Sequence, residues 1–267
     1  MEKEIILLKL GGSLLTDKNK PYSIREDVIE DVVHQIIKAG VKIIIIHGGG
    51  SFGHPPARKY GIFEGINPEI PDQILGLVET HKSMNDFNTY IINAFIDNGY
   101  PALSIQSSSI FIKKSVSISM ASIDIIEAAL DLGITPVLYG DIILDNKGSF
   151  SIVSGDQIIF KLCTTLEQYK VSKVVFTMET DGLYIKDENK ENGCMLITEC
   201  HFRDLDSLEL ADIGQKIDVT GGIRGKLDFI KKICELKISV QLVNGLKEDF
   251  IYKALKNIEI DCTNILV

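Results

Sequence analysis

Residues 41–56 read VKIIIIHGGGSFGHPP: an apolar β-branched run, three glycines, a serine, and an imidazole in front of two prolines. The run has the composition of a buried strand, and the glycines mark its end. Residues 48–53 match G-x-G-x-x-G, the pattern of a dinucleotide-binding turn. That pattern carries its mechanism when it closes the first strand and opens a long helix, with an acid about 20 residues further on. Here it follows the second strand, Pro55 and Pro56 come at once, and Glu64 and Glu69 fall in loop-like sequence. No G-x-x-x-x-G-K-[ST] occurs in the chain, which excludes the P-loop class. Two uses remain: a loop that brings backbone N–H groups against a phosphate, with His54 beside it, or a tight turn with a histidine nearby.

Outward from this loop, short β-branched runs alternate with helical periodicity. The runs at 4–10, 41–47, 101–105, 135–141, 173–179 and 239–244 are mostly apolar at successive positions, as strands covered on both faces are. Between the first two, SIREDVIEDVVHQIIKAG (23–40) carries Ile24, Val28, Val32 and Ile36 on one stripe. A Ser23/Glu26 capping box at its start and Gly40 at its end predict a helix. A second long helix is predicted over 72–98, where Ile74, Leu77, Val78, Met84, Phe87, Ile91 and Phe95 recur. Shorter helices fit 121–132, 155–169, 225–236 and 248–256, and DNKGS (145–149) reads as a hairpin turn. The expected fold is α/β: an open, mainly parallel sheet sandwiched between helices, in a single domain over 1–267, with a functional boundary near 171.

Composition narrows the partners. Lys+Arg 28 against Asp+Glu 37 gives a net charge of −9, which argues against nucleic acid. Anionic small molecules would have to be met by local cations. No stretch approaches the roughly 20 apolar residues of a membrane span, and the 5 cysteines show no CxxC, as in a reduced, cytoplasmic protein.

Four glycine-rich segments stand at strand ends or helix starts: KLGGS (9–13), HGGGSFGH (47–54), SGDQ (154–157) and DVTGGIRGK (218–226). In an open parallel sheet, ligands gather at the carboxyl ends of strands, so these loops imply a phosphate-rich ligand or two phosphorylated ligands meeting. Lys9 stands on an otherwise apolar strand, where an ammonium is normally excluded. Lys226 stands at a helix start, where a cation opposes the helix dipole. Both positions suit phosphate ligands. Asp156 could cap the helix that follows it.

KLGGS, HGGG, GDQ, the TDG of TMETDGLY (177–184) and DVTGGIRGKL (218–227) resemble, in order and spacing, the amino acid kinase family over essentially the whole chain. The resemblance implies phosphoryl transfer from ATP, with magnesium (Mg2+), to a carboxylate or phosphate. HGGGSFGHPPARKYG (47–61) with LLTDK (14–18) narrows it to members whose acceptor is an isoprenoid monophosphate. It thus implies conversion of isopentenyl phosphate to the diphosphate in an alternative mevalonate route. By the same resemblance Lys9 bridges the transferring γ-phosphoryl group, Lys226 binds phosphate, Lys18 stabilises the transition state, and Asp156 orients Lys9 and Lys226. His54 binds the acceptor phosphate with the backbone of Gly49 and Gly155. Gly11, Gly12, Ser13, Gly50, Asp181, Gly182 and Gly222 fall on the nucleotide side, and no protein ligand for the metal is assigned. An apolar slot for the acceptor would draw on Leu77, Met84, Phe87 and Ile152. Residues 1–170 become an acceptor-binding lobe, 171–267 a nucleotide-binding lobe, and a homodimer is expected. Glu179 departs from the family pattern, which usually has aspartate there with one fewer residue after Thr177. Two alternatives stay open: a kinase of the same fold acting on another phosphate or a phosphonate such as fosfomycin, and a non-catalytic nucleotide-binding protein.

Overall fold

The structure is a computed structural model that describes residues 3–17, 19–114, 117–187, 193–211 and 222–267. The chain opens with β1 (Lys3–Leu10), a single turn α1 (Gly12–Leu15), α2 (Glu26–Ala39), β2 (Ile43–His47), α3 (Gly50–Lys59) and the long α4 (Gln73–Asp97). There follow β3 (Ala102–Ser104), α5 (Ser107–Ile110), a hairpin of β4 (Phe111–Lys114) and β5 (Ser117–Met120), α6 (Asp124–Asp131) and β6 (Thr135–Tyr139). A second hairpin, β7 (Asp141–Leu144) and β8 (Phe150–Val153), turns through 145–149 as the sequence predicts and leads into α7 (Gly155–Thr165). The remainder comprises β9 (Tyr169–Met178), β10 (Tyr184–Lys186), β11 (Cys194–Leu196), β12 (Glu199–His201), α8 (Gly222–Glu235), β13 (Ser239–Asn244), α9 (Phe250–Leu255) and β14 (Thr263–Leu266).

Eight strands form one sheet in the order β12-β14-β13-β9-β1-β2-β6-β3. All neighbours from β13 to β3 are parallel, and only the β13–β14 pairing is antiparallel. The chain lays β2, β3 and β6 on one side of β1 and then crosses to place β9, β13, β14 and β12 on the other, which creates a crevice outside the carboxyl ends of the central strands. Side chains alternate between the two faces. Ile5, Leu7, Ile44, Ile46, Val174 and Phe176 pack under α7 and α8; Ile6, Leu8, Leu10, Ile43 and Ile45 pack under α2, α4 and α9. Lys9 shares the first face and stands level with Ile46 and Phe176.

Two local expectations are corrected. Ser23 does not cap α2: its N–H donates to Ser51 Oγ (3.1 Å), and that hydroxyl donates back to Ser23 O (3.1 Å). The segment ahead of α2 is thereby tied to the glycine loop, and the helix starts at Glu26 without a side-chain cap. The far end behaves as read, with Gly40 left-handed at φ 58. In α4, Ile74 (58% exposed) and Val78 (53%) face outward. The inward positions of its first half are Gly76, Thr80 and Ser83, because this half lies on α3 and the turn after it rather than on the sheet. A Cβ at Gly76 would stand 2.0 Å from a ring carbon of Tyr60.

Candidate active site

The loops after β1 and β2 meet backbone to backbone. A Cβ at Gly12 would lie 2.3 Å from Gly50 N, one at Gly48 2.9 Å from Gly12 N, and one at Gly50, where φ is +48, 2.2 Å from Thr16 Oγ1. Thr16 Oγ1 in turn accepts the Ser51 N–H at 2.9 Å. These glycines therefore meet a packing requirement that sequence reasoning, intent on phosphate, did not detect. The signal was present in the adjacency of two strands that both end in glycine pairs.

Beside this junction Lys9, only 8% exposed, donates from Nζ to Asp156 Oδ1. Lys226 Nζ approaches the same oxygen at 3.9 Å. The two ammonium groups lie over one ring, that of Phe176, at 5.7 and 5.1 Å from its centroid, an arrangement that partly compensates for burial. Asp156 stands in the first turn of α7, whose cap is Ser154. Its hydroxyl accepts the Gln157 N–H (3.2 Å) while Gln157 Oε1 accepts the Ser154 N–H (2.8 Å). With capping supplied by Ser154, the Asp156 carboxylate faces the lysines. Burial pushes its pKa up, but the charges of Lys226 and Lys9 outweigh burial and hold it below the ordinary carboxylate range. Gly155 allows this approach, since a Cβ there would stand 3.2 Å from Lys9 Cε.

On the β2 side, His54 lies half-buried in the second turn of α3. Met84 Sδ supports that helix from α4, at 3.1 and 3.0 Å from where a Cβ would stand on Gly49 and Gly53. Ser83 Oγ donates to Phe52 O (2.8 Å), and Phe52 stacks on Phe87 with centroids 4.8 Å apart. The proposed slot residues fall in two places. Met84 and Phe87 are sealed into the core behind the glycine loop, whereas the half-buried Leu77 and Ile152 pack with Tyr60, Ile62, Ile142 and Phe150 near the β7–β8 hairpin. His47 is fully buried, with its ring nitrogens 3.1 Å from Gly48 O and 3.2 Å from Asn88 Oδ1. Burial pushes its pKa down to about 4 despite these bonds, so it is neutral at neutral pH.

On the β9 side, Asp181 Oδ1 lies 2.7 Å from Lys247 Nζ and 3.0 Å from Asn244 Nδ2, and Oδ2 accepts the Tyr184 hydroxyl at 3.1 Å. Burial raises its pKa, and these donors together lower it below the ordinary range. Gly182 adopts φ 152, and a Cβ there would meet Thr263 Oγ1 at 2.2 Å. Glu179 accepts from Arg25 Nη1 at 3.3 Å. The Gly11 N–H donates to Thr177 Oγ1 (3.3 Å), and that hydroxyl donates to Lys9 O (2.9 Å), fixing the strand end that carries the lysine. Phe176, Thr177, Asn244 and Lys247 were not identified from sequence. Lys18 and residues 218–221 lie outside the described residues, while Gly222 opens α8 and Ser13 lies in α1.

A profile of the amino acid kinase family matches residues 4–244. The chain is 34% identical to an isopentenyl phosphate kinase of Methanocaldococcus jannaschii, with 98% of each chain covered. It is 32% identical to one of Methanothermobacter thermautotrophicus, again over 98% of each. The X-ray structure of an isopentenyl phosphate kinase superposes with a TM-score of 0.82 at 29% identity, covering 98% of this chain and 100% of that one. UMP kinase from Ureaplasma parvum superposes at 0.67 with 15% identity, a likeness of fold alone.

Proposed function

The chain belongs to the amino acid kinase family, and from that premise we propose that it transfers the γ-phosphoryl group of ATP to isopentenyl phosphate, giving isopentenyl diphosphate and ADP. The observation that carries this is the convergence of Lys9 and Lys226 on Asp156 beside the glycine loop that leads into His54. The relatives named isopentenyl phosphate kinase select the acceptor.

An acceptor phosphate oxygen attacks the γ-phosphorus as the bond to the ADP oxygen breaks, and charge spreads over the transferring oxygens. Lys9 and Lys226 supply cationic donors there, already aligned by Asp156, so little reorganisation is needed as the charge moves. His54 donates to a non-attacking oxygen of the acceptor, aided by the backbone N–H groups of Gly49 and Gly155, and so offsets the repulsion between two anions. Lys18, outside the described residues, adds a further cation to the transition state. Magnesium, when bound, neutralises the nucleotide phosphates. No cluster of three or more His, Cys, Asp or Glu suited to a metal occurs among the described residues, and the one carboxylate beside the lysines is already engaged by both, so the donor set fits an ion carried on the nucleotide.

The nucleotide takes the side of Asp181 and Gly182, with residues 171–267 as its lobe and 1–170 as the acceptor lobe. A homodimer in the cytoplasm completes the proposal; no described helix is long and apolar enough to cross a membrane. The test is ADP release with isopentenyl phosphate, dimethylallyl phosphate, fosfomycin, UMP and glutamate in parallel. Turnover confined to the isoprenoid monophosphates supports the proposal, and turnover on fosfomycin or UMP alone overturns it.

A further inference from the structure

Asp141 carries a fully buried side chain, and the phosphoryl-transfer chemistry does not use it. His81 Nδ1, reaching in from α4, lies 2.9 and 3.0 Å from its two oxygens. Oδ1 also accepts the Ile142 N–H at 2.8 Å. Among the described residues no lysine or arginine pairs with this carboxylate. A buried carboxylate stripped of its hydrogen-bond donor is strongly destabilising, so a pair of this kind holds one geometry. The hydrogen bond to Asp141 raises the His81 pKa against the opposing effect of burial.

The pair sits at the centre of a chain of contacts that all lead to one side of the site. His81 Nε2 meets the Asn85 amide at 2.9 Å, and Asn85 Oδ1 accepts the Tyr139 hydroxyl at 2.5 Å. Tyr139 stacks on His47, the residue that opens the glycine loop, with centroids 5.3 Å apart. Asp141 follows Gly140, whose N–H donates to His47 O at 3.1 Å. A Cβ on Gly140 would stand 3.6 Å from Gly155 N. On α4, His81 lies one turn from Leu77 and one from Met84, which supports Gly49 and Gly53. All of this lies on the β2–β6 side of β1, whereas Asp181 and Lys247 follow β9 and β13 on the other side.

We propose that His81 and Asp141 are positioning residues for the acceptor, clamping the wall of α4 from Leu77 to Met84 onto the strand end that carries Gly155 and the loop that leads into His54. This rests on the acceptor site lying where the proposed function puts it. The hydrogen-bonded pair works through those residues and touches neither substrate.

Steady-state kinetics with both substrates varied test it on wild type, His81→Gln, Asp141→Asn and the double variant, with thermal melts alongside. Each single change should raise the acceptor KM about tenfold, equivalent to about 1.4 kcal/mol, with the KM for ATP held within about twofold. The double variant should be no worse than the worse single one, because the two act as one unit. Should Asp141→Asn fail to fold, His81→Gln, which retains an amide donor, decides alone. Both KM values rising together in step with a lowered melting temperature, or an unchanged acceptor KM, would overturn the proposal. Wild type is first screened against the acceptor panel. If it prefers another small phosphate or a phosphonate, the functional proposal fails and the pair is tested with that acceptor; if it turns over none, both fail.

Discussion

Lys9 holds an ammonium on a strand whose neighbouring positions are leucine and isoleucine, and Asp156 together with the Phe176 ring makes that position tenable. In the proposed mechanism its charge is needed most as the phosphoryl group leaves ADP. Lys9→Ala should therefore lower kcat by about 10²–10³-fold, the scale seen on removing one transition-state donor, in a chain that still folds, at a lowered melting temperature because buried Asp156 loses its hydrogen-bonded cation. Single-turnover kinetics and a thermal melt check both halves. His54→Ala should reduce kcat/KM for the acceptor by about ten- to a hundredfold, a charge-assisted hydrogen bond's worth, with ATP binding unchanged by calorimetry. His47 behaves differently, being buried and neutral. Its folded pKa of about 4 lies below its ordinary 6.5, so the unfolded chain takes up the proton first. Its contribution is complete above pH 6.5 and is lost as pH falls towards 4, by up to about 1.4 kcal/mol per pH unit. Urea unfolding across that window should show a shallower slope for His47→Gln than for wild type. Lys9 and Lys226 stood out in the sequence because each sits where its neighbours make a charge conspicuous, whereas Asp156 read from its neighbours only as a possible helix cap and drew its orienting role from the family resemblance. The His81–Asp141 pair was not, since a histidine on a helix and an aspartate closing an apolar strand look unremarkable until the fold joins residues 60 apart.

At the scale of elements, the central strands could be read because each is an apolar run buried on both faces. Strands β12 and β14 could not, being three or four residues long and including polar positions such as Glu199 and Thr263. The apparent capping box at Ser23 misled because the helix begins later, at Glu26, and the backbone N–H and C=O of Ser23 are held instead by the Ser51 hydroxyl. In α4 the periodicity merged two environments, the sheet for its second half and α3 for its first, and this division has consequences for the acceptor slot. Leu77 and Ile152 are half-buried, whereas Met84 is 2% exposed and supports the glycine loop. Trimming Leu77 or Ile152 to Ala should admit longer prenyl phosphates at small cost in stability. Met84→Ala should cost about 2–5 kcal/mol, as core truncations do. Turnover of a ten-carbon prenyl phosphate relative to the five-carbon acceptor, paired with urea unfolding, distinguishes the two groups; an unchanged chain-length preference in all three variants would put the slot elsewhere.

For the whole molecule, a net charge of −9 makes two polyanionic substrates improbable guests unless cations are concentrated at one place. The fold supplies that place by gathering the carboxyl ends of β1, β2, β9 and β13 at one edge of the sheet. Lys9 comes from β1, while Asp156 and Lys226 come from the starts of two helices on the same face. Asp181, after β9, and His54, behind β2, lie on opposite sides of β1 and its Lys9, and the proposed function gives the first side to the nucleotide and the second to the acceptor. On that proposal the phosphoryl group passes beside the lysine. The most direct test follows the phosphorus itself: phosphorus NMR of the protein with ATP, magnesium and isopentenyl phosphate. Direct transfer predicts that the monoester resonance of the acceptor is replaced by two coupled diphosphate resonances in step with the appearance of ADP. Persistence of the monoester signal, with ATP intact or hydrolysed to ADP and inorganic phosphate, would contradict it.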